Sequence, residues 1–104
     1  MSYSLRVNPG DARTLALRAY CEAKVGSMRE AQRDIDYALE LAPTDKEVLY
    51  KKALIGAIAG DKAGALKALS DALTHGYSAP LVTTDREWLG LQSSPDFQRL
   101  VASR

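Results

Sequence analysis

"ALRAYCEAKVGSMREAQRDIDYALELAP" (Ala16–Pro43) and, 34 positions on, "YKKALIGAIAGDKAGALKALSDALTHGY" (Tyr50–Tyr77) decide how this chain folds. Laid over one another, the two stretches match Ala19 with Ala53, Ala23 with Ala57, Gly26 with Gly60, Ala31 with Ala65 and Ala38 with Ala72. The same step links Pro9 with Pro43, Asp11 with Asp45 and Leu15 with Leu49, and Leu5, Leu39 and Leu73 keep it three times. The matched residues are small, apolar or turn-forming, the types that packing and chain reversal demand. A fixed period of about 20 to 50 residues marks a repeat architecture, so the period outranks any single motif.

Each period reads as two helices joined by a tight turn. From Ala12 to Val25 good helix formers prevail, with Leu15, Ala19 and Ala23 at four-residue steps along one face, after a start at Gly10 or Asp11. Gly26 ends that helix, because glycine enters the left-handed region without a Cβ penalty. Ser27 with Glu30 predicts a capping box, and Met28, Ala31, Ile35, Ala38 and Ala42 then recur at three- and four-residue steps, with Arg29, Arg33, Asp36 and Glu40 largely on other faces. Pro43 closes the unit. In the second copy Thr44 with Glu47 predicts another capping box, a helix runs to about Ala59, Gly60 turns it, and Asp61 caps a helix to about His75. The alanines have a packing use, since helices approach within about 8 to 10 Å only where facing side chains are small. Ala19 against Ala31, and Ala53 against Ala65, are the expected contacts.

Composition narrows the function classes. The chain has 104 residues, room for one domain, and 14 basic against 13 acidic residues leave a formal net charge of +1, which weighs against nucleic acid as a partner. One cysteine, Cys21, forms no internal disulfide and builds no zinc site alone, so a reducing compartment fits. No run approaches the roughly 20 apolar residues of a membrane span, and "MSYSLRVNPG" lacks the pattern of a signal peptide. The expectation is a cytoplasmic protein with no membrane partner. Catalysis asks for a base held beside its partner, usually His with Asp or Glu. The lone His75 stands at a predicted helix end before Gly76, where a cationic group complements the helix dipole, and Cys21 sits in an alanine-rich helix as a small apolar residue. No metal-ligand cluster or phosphate loop is visible, so the expectation is a protein that is not an enzyme and needs no cofactor.

The 34-residue unit with Ala19, Gly26, Ala31, Ala38 and Pro43, and their second set, resembles the tetratricopeptide repeat. The resemblance spans Leu5 to His75. It departs from the family where a midway aromatic is usual, since Glu22 and Gly56 stand there, and Gly56 is expected to loosen its helix by about 1 kcal/mol relative to Ala. The pentatricopeptide RNA-binding repeats share the period, but the Gly, Ala and Pro placement and the neutral charge favour the protein-binding relative. The resemblance implies an all-α, right-handed superhelix with a tail of a preceding repeat over 1–11, repeats over 12–45 and 46–79, and C-terminal capping helices over 80–104. "SLRVNPGDA" matches "ALELAPTDK" one step later, so the chain is expected to be the C-terminal piece of a longer protein, or else to pair as a homodimer through its uncovered upstream face. "GYSAPLVTTDREWLGLQSSPDFQRLV" resembles a tail that follows the final repeat in bacterial tetratricopeptide proteins, which implies a regulatory or signalling context.

The family lines a concave groove with the first helix of each repeat. That implies a groove of Arg13, Ala16, Leu17, Tyr20, Lys24, Glu47, Tyr50, Lys51, Leu54 and Ile58, receiving a peptide or helix of a protein partner. Family members that grip the acidic tail of chaperones use Lys and Asn where Ala16, Tyr20 and Lys51 stand, so that ligand is not expected. After Gly76, Pro80 suits the first turn of a short helix, Asp85 can cap another, and Ser94-Pro95 reads as an N-cap and first helical residue. Leu81, Val82, Trp88, Leu89, Leu91, Phe97, Leu100 and Val101 supply apolar surface for a lid. Trp88, the only tryptophan, is expected to pack rather than bind.

Overall fold

In the computed structural model, which describes residues 9–102, six α-helices and one 3-10 helix follow each other: α1 (Pro9–Lys24), α2 (Met28–Leu41), α3 (Lys46–Ala59), α4 (Lys62–Thr74), α5 (Ala79–Thr83), the 3-10 helix Arg86–Leu91, and α6 (Pro95–Ala102). Among the described residues there is no strand, so the protein is all-helical. The sequence places residues 1–11 in the tail of a preceding repeat; residues 1–8 of that span lie outside the described residues, as do Ser103 and Arg104, and residues 9–11 form the first turn of α1. The helix thus begins just before the expected start at Gly10 or Asp11, which the chain tolerates because proline is at home in a first helical turn.

Three of the four long helices, α1, α3 and α4, close in one way. At Gly26, Gly60 and Gly76 the backbone turns left-handed, with φ of +92°, +83° and +105°. The next residue then reaches back five positions: the Ser27 N–H to the Glu22 carbonyl at 2.8 Å, Asp61 to Gly56 at 2.9 Å and Tyr77 to Ala72 at 2.9 Å. Orphan carbonyls are thereby satisfied. That bond also removes the expected capping box at Ser27. Its reciprocal half needs the Ser27 N–H, which Glu22 already holds, and the Ser27 side chain makes no cap hydrogen bond. The other expected box is displaced by one residue: Asp45, not Thr44, caps α3, its Oδ1 accepting from the Glu47 amide at 2.8 Å and the Val48 amide at 3.4 Å. Asp61 caps α4 through the Gly64 amide at 3.0 Å.

α1 packs on α2 and α3 on α4, and α1 lies against α3. Met28 and Lys62, the first residues of α2 and α4, are 34 positions apart (62 − 28). Ala19, Ala31, Ala38, Ala53, Ala65 and Ala72 are all fully buried, and they divide between two core clusters. One cluster joins Leu15, Ala19, Ala31 and Ile35 to Val48 and Ile55 of α3; the other joins Ala53, Ala65, Leu69 and Leu73 to Val82, Trp88 and Phe97. Gly56 explains the close spacing of α3 and α4. A Cβ there would stand 3.1 Å from both the Cα and the backbone N of Ala65, so its role is close approach rather than the loosening that propensity alone suggests.

Candidate interaction face

The exposed stripe of α1 sets out Arg13, Leu17, Tyr20 and Lys24 at spacings of four, three and four residues, one face of a helix. Beside it α3 presents Glu47, Lys51 and Ile58, all half-buried. Of these, Tyr20, Lys24 and Lys51 come together, whereas Ile58 packs against the cluster of Leu15 and Ala19, and at Tyr20 and Lys24 the chain itself meets the face. The 3-10 helix lies against α3, and two of the acidic residues at its start, Asp85 and Glu87, point at the groove residues.

Glu87 is the outer of these carboxylates. Its Oε2 accepts from the Tyr20 hydroxyl at 2.8 Å and from Lys24 Nζ at 2.6 Å. Burial alone would raise the Glu87 carboxyl, but the hydrogen bonds from Lys24 and Tyr20 and the charge of Lys24 outweigh it and hold the group below its ordinary range. The Tyr20 phenol is pushed up to about 12, by burial first and then by the Glu87 carboxylate that its proton faces. Lys51 Nζ lies 5.9 Å from the Tyr20 ring centroid and 6.0 Å from that of Tyr50, within reach of a cation–π attraction to both.

Asp85 is the inner carboxylate. Its Oδ1 caps the 3-10 helix by accepting from the Glu87 amide at 3.2 Å, and its Oδ2 accepts from the Tyr50 hydroxyl at 2.8 Å. That hydroxyl in turn accepts from the Trp88 indole N–H at 2.9 Å. Tyr50 stacks on Tyr77 at 4.0 Å between ring centroids, and Trp88 stacks on Phe97 at 5.5 Å. Tyr50 and Leu54 keep only 2% of their surface exposed and Trp88 none, so these side chains are spent inside the molecule. Burial pushes the Tyr50 phenol well above its ordinary range.

The chain matches no family model, no curated protein and no solved structure. Geometry alone therefore ranks the groove residues. Leu17, 51% exposed, Tyr20 and Lys24 present usable surface, and Ala16, Tyr50 and Leu54 do not. Arg13 is exposed but committed, its Nε donating to Asp45 at 2.9 Å and so tying α1 to the cap of α3. The sequence reading missed Asp85 and Glu87 as the residues facing this surface. Asp85 was legible as a cap, but no spacing rule connects it with Tyr50, 35 residues away.

His75 stays at its helix end, where its Nδ1 lies 2.9 Å from the Asp71 carbonyl and closes the last turn of α4. Cys21 is exposed on α1, not buried as its alanine-rich helix suggests, because it lies off the seam that Ala19 and Ala23 bury. Among the described residues no group of three or more His, Cys, Asp or Glu side chains is placed to hold a metal ion, and no helix is long and apolar enough to cross a membrane.

Proposed function

We propose that this chain is a tetratricopeptide-like interaction module, a non-catalytic piece of a bacterial cytoplasmic regulatory protein, whose α1 stripe receives a segment of a protein partner. The reading is supported by the 34-residue step between α2 and α4, the left-handed glycines that end α1 and α3, and the buried alanine seams. The observation that carries it is the convergence of Tyr20, Lys24 and Lys51 on one face that already holds a peptide segment, that segment being the chain's own. A surface able to seat carboxylates in cis has the chemistry to seat them in trans.

The homodimer alternative draws less support. α3 buries Val48 and Ile55 against α1 and α2. One repeat step earlier, on the upstream face of α1, the same places hold Thr14 and Cys21, both exposed, which offer little apolar area to a second copy. The module reading is tested by affinity capture from an extract of the source organism with the wild type and with Leu17→Asp. A partner held by the first and lost by the second is the expected result, and a partner held equally by both sinks the α1 face as its site.

A further inference from the structure

Building on that reading, we propose that Glu87 is a competitor held in cis, and that its place on Lys24 and Tyr20 is a carboxylate-receiving site for an acidic, apolar-containing segment of the partner. Lys24 and Tyr20 converge on a single oxygen of Glu87, 2.6 and 2.8 Å away, with Lys51 over the Tyr20 ring as a second cation. One cation and a phenol on a single carboxylate oxygen, with Lys51 over the phenol ring, form a site whose chemistry selects an acidic group. Lys24 is 49% exposed on its side chain and Leu17, two turns back from Lys24 and one from Tyr20 on the same stripe, is 51% exposed, so an incoming chain reaches the site from solvent and finds apolar surface beside Tyr20. The partner that fits is a peptide alternating Glu or Asp with a large apolar residue.

Glu87 can yield its place without the lid leaving. The 3-10 helix is anchored by Trp88 in the core, by the Trp88–Tyr50–Asp85 chain of hydrogen bonds and by the cap on the Glu87 amide, none of which uses the Glu87 carboxylate. The contacts it would surrender are the Tyr20 hydrogen bond and a charge pair whose Lys24 side chain is 49% exposed and whose Glu87 side chain is 13% exposed, so that salt screens the pair from the lysine side. A tethered competitor lowers apparent affinity by the fraction of time it occupies the site, so its removal tightens binding in proportion.

The test is fluorescence anisotropy with a labelled Glu-Glu-Leu-Glu-Glu peptide at low salt, with Gln-Gln-Leu-Gln-Gln as its uncharged control. Glu87→Gln should bind the acidic peptide about tenfold more tightly than wild type if Glu87 fills the site roughly nine-tenths of the time. Adding Lys24→Ala should remove that gain, and the control should bind neither protein. Glu87→Asp, which keeps the charge but draws it back from Lys24, should fall between, and thermal melts establish that each variant is folded. Equal binding by wild type and Glu87→Gln overturns the competitor while leaving the α1 face standing. Absence of peptide binding in every variant overturns it too, and the Leu17→Asp capture result then decides separately whether the face itself survives. A concentration-dependent dimer of Glu87→Gln in place of peptide binding assigns the face to a second copy and likewise overturns it.

Discussion

The Tyr50 hydroxyl accepts from Trp88 and donates to Asp85, so Tyr50→Phe removes two hydrogen bonds and orphans a buried indole N–H. An unsatisfied buried donor costs about 1 to 3 kcal/mol. Urea unfolding should show the midpoint falling by that equivalent with an unchanged slope, and an unshifted midpoint would remove the network from the stability of the fold. Gly56 gives the sharper contrast between sequence and structure. Helix propensity predicts that Gly56→Ala stabilises by about 1 kcal/mol. The approach of Ala65 to within 3.1 Å opposes this, since overpacking costs about 1 to 3 kcal/mol, so the variant should be neutral or destabilised by up to about 2 kcal/mol. A clear rise in melting temperature would mean that α4 recedes freely. A glycine at position 56 was legible; the backbone opposite it was not, because propensity describes one helix at a time.

At the scale of elements, the caps and the titrating groups set the margins. Asp45→Ala should cost about 1 kcal/mol or more, since the carboxylate accepts from two amides of α3 and from Arg13, whereas Thr44→Ala should change stability by less than about 0.5 kcal/mol. Equal losses would return the cap to Thr44. Both residues are cap formers by type, and the choice between them follows from Arg13, which approaches Asp45 from another helix. Glu87 and Asp45 are each pushed up by burial and brought lower still by hydrogen bonds, from Lys24 and Tyr20 in the first case and from Arg13 and two amides in the second. A carboxylate lower in the folded than in the unfolded chain contributes its stability above the unfolded value of about 4, and loses it as pH falls through the folded one. Glu22 acts in the opposite sense, raised by burial at the α1–α2 seam, and so moderates the acid loss. Tyr20 and Tyr77, both pushed up to about 12 chiefly by burial, contribute fully below about pH 10 and lose their contribution as pH rises towards 12. Melting temperature against pH should therefore form a plateau falling away below about pH 4 and above about pH 10, with phenolate absorbance still rising near pH 12. A flat profile down to pH 2 would contradict the Glu87 and Asp45 geometry.

For the whole molecule, residues 79–102 are structural in a way that a tail is not. Val82, Trp88 and Phe97 complete the core that α3 and α4 begin, and the described chain closes to a Cα radius of gyration of 13.2 Å, about that of a compact domain of its length. Trp88→Ala should cost about 3 to 5 kcal/mol, a large share of the roughly 5 to 15 kcal/mol by which a domain is stable. Cooperative unfolding should broaden as the second core cluster loosens ahead of the first, which holds its own Leu15, Ile35 and alanine seam. A sharp, unshifted transition would show that the lid is dispensable.

Helix positions, the glycine turns and the alanine seams were determined by the sequence, because each depends on side-chain volume, backbone freedom or periodicity within a few turns of chain. The cap at Asp45, the purpose of Gly56 and the pairing of Tyr20, Lys24 and Tyr50 with Asp85 and Glu87 were decided only in three dimensions. Ala65 faces Gly56 from the next helix, and the other partners lie 32 to 67 residues away, so each contact depends on how the helices stack, which no local pattern encodes. The same physics moved Tyr50 and Leu54 from the groove to the core: whether a residue on a helix face meets a partner or the chain's own lid depends on where the lid comes to rest.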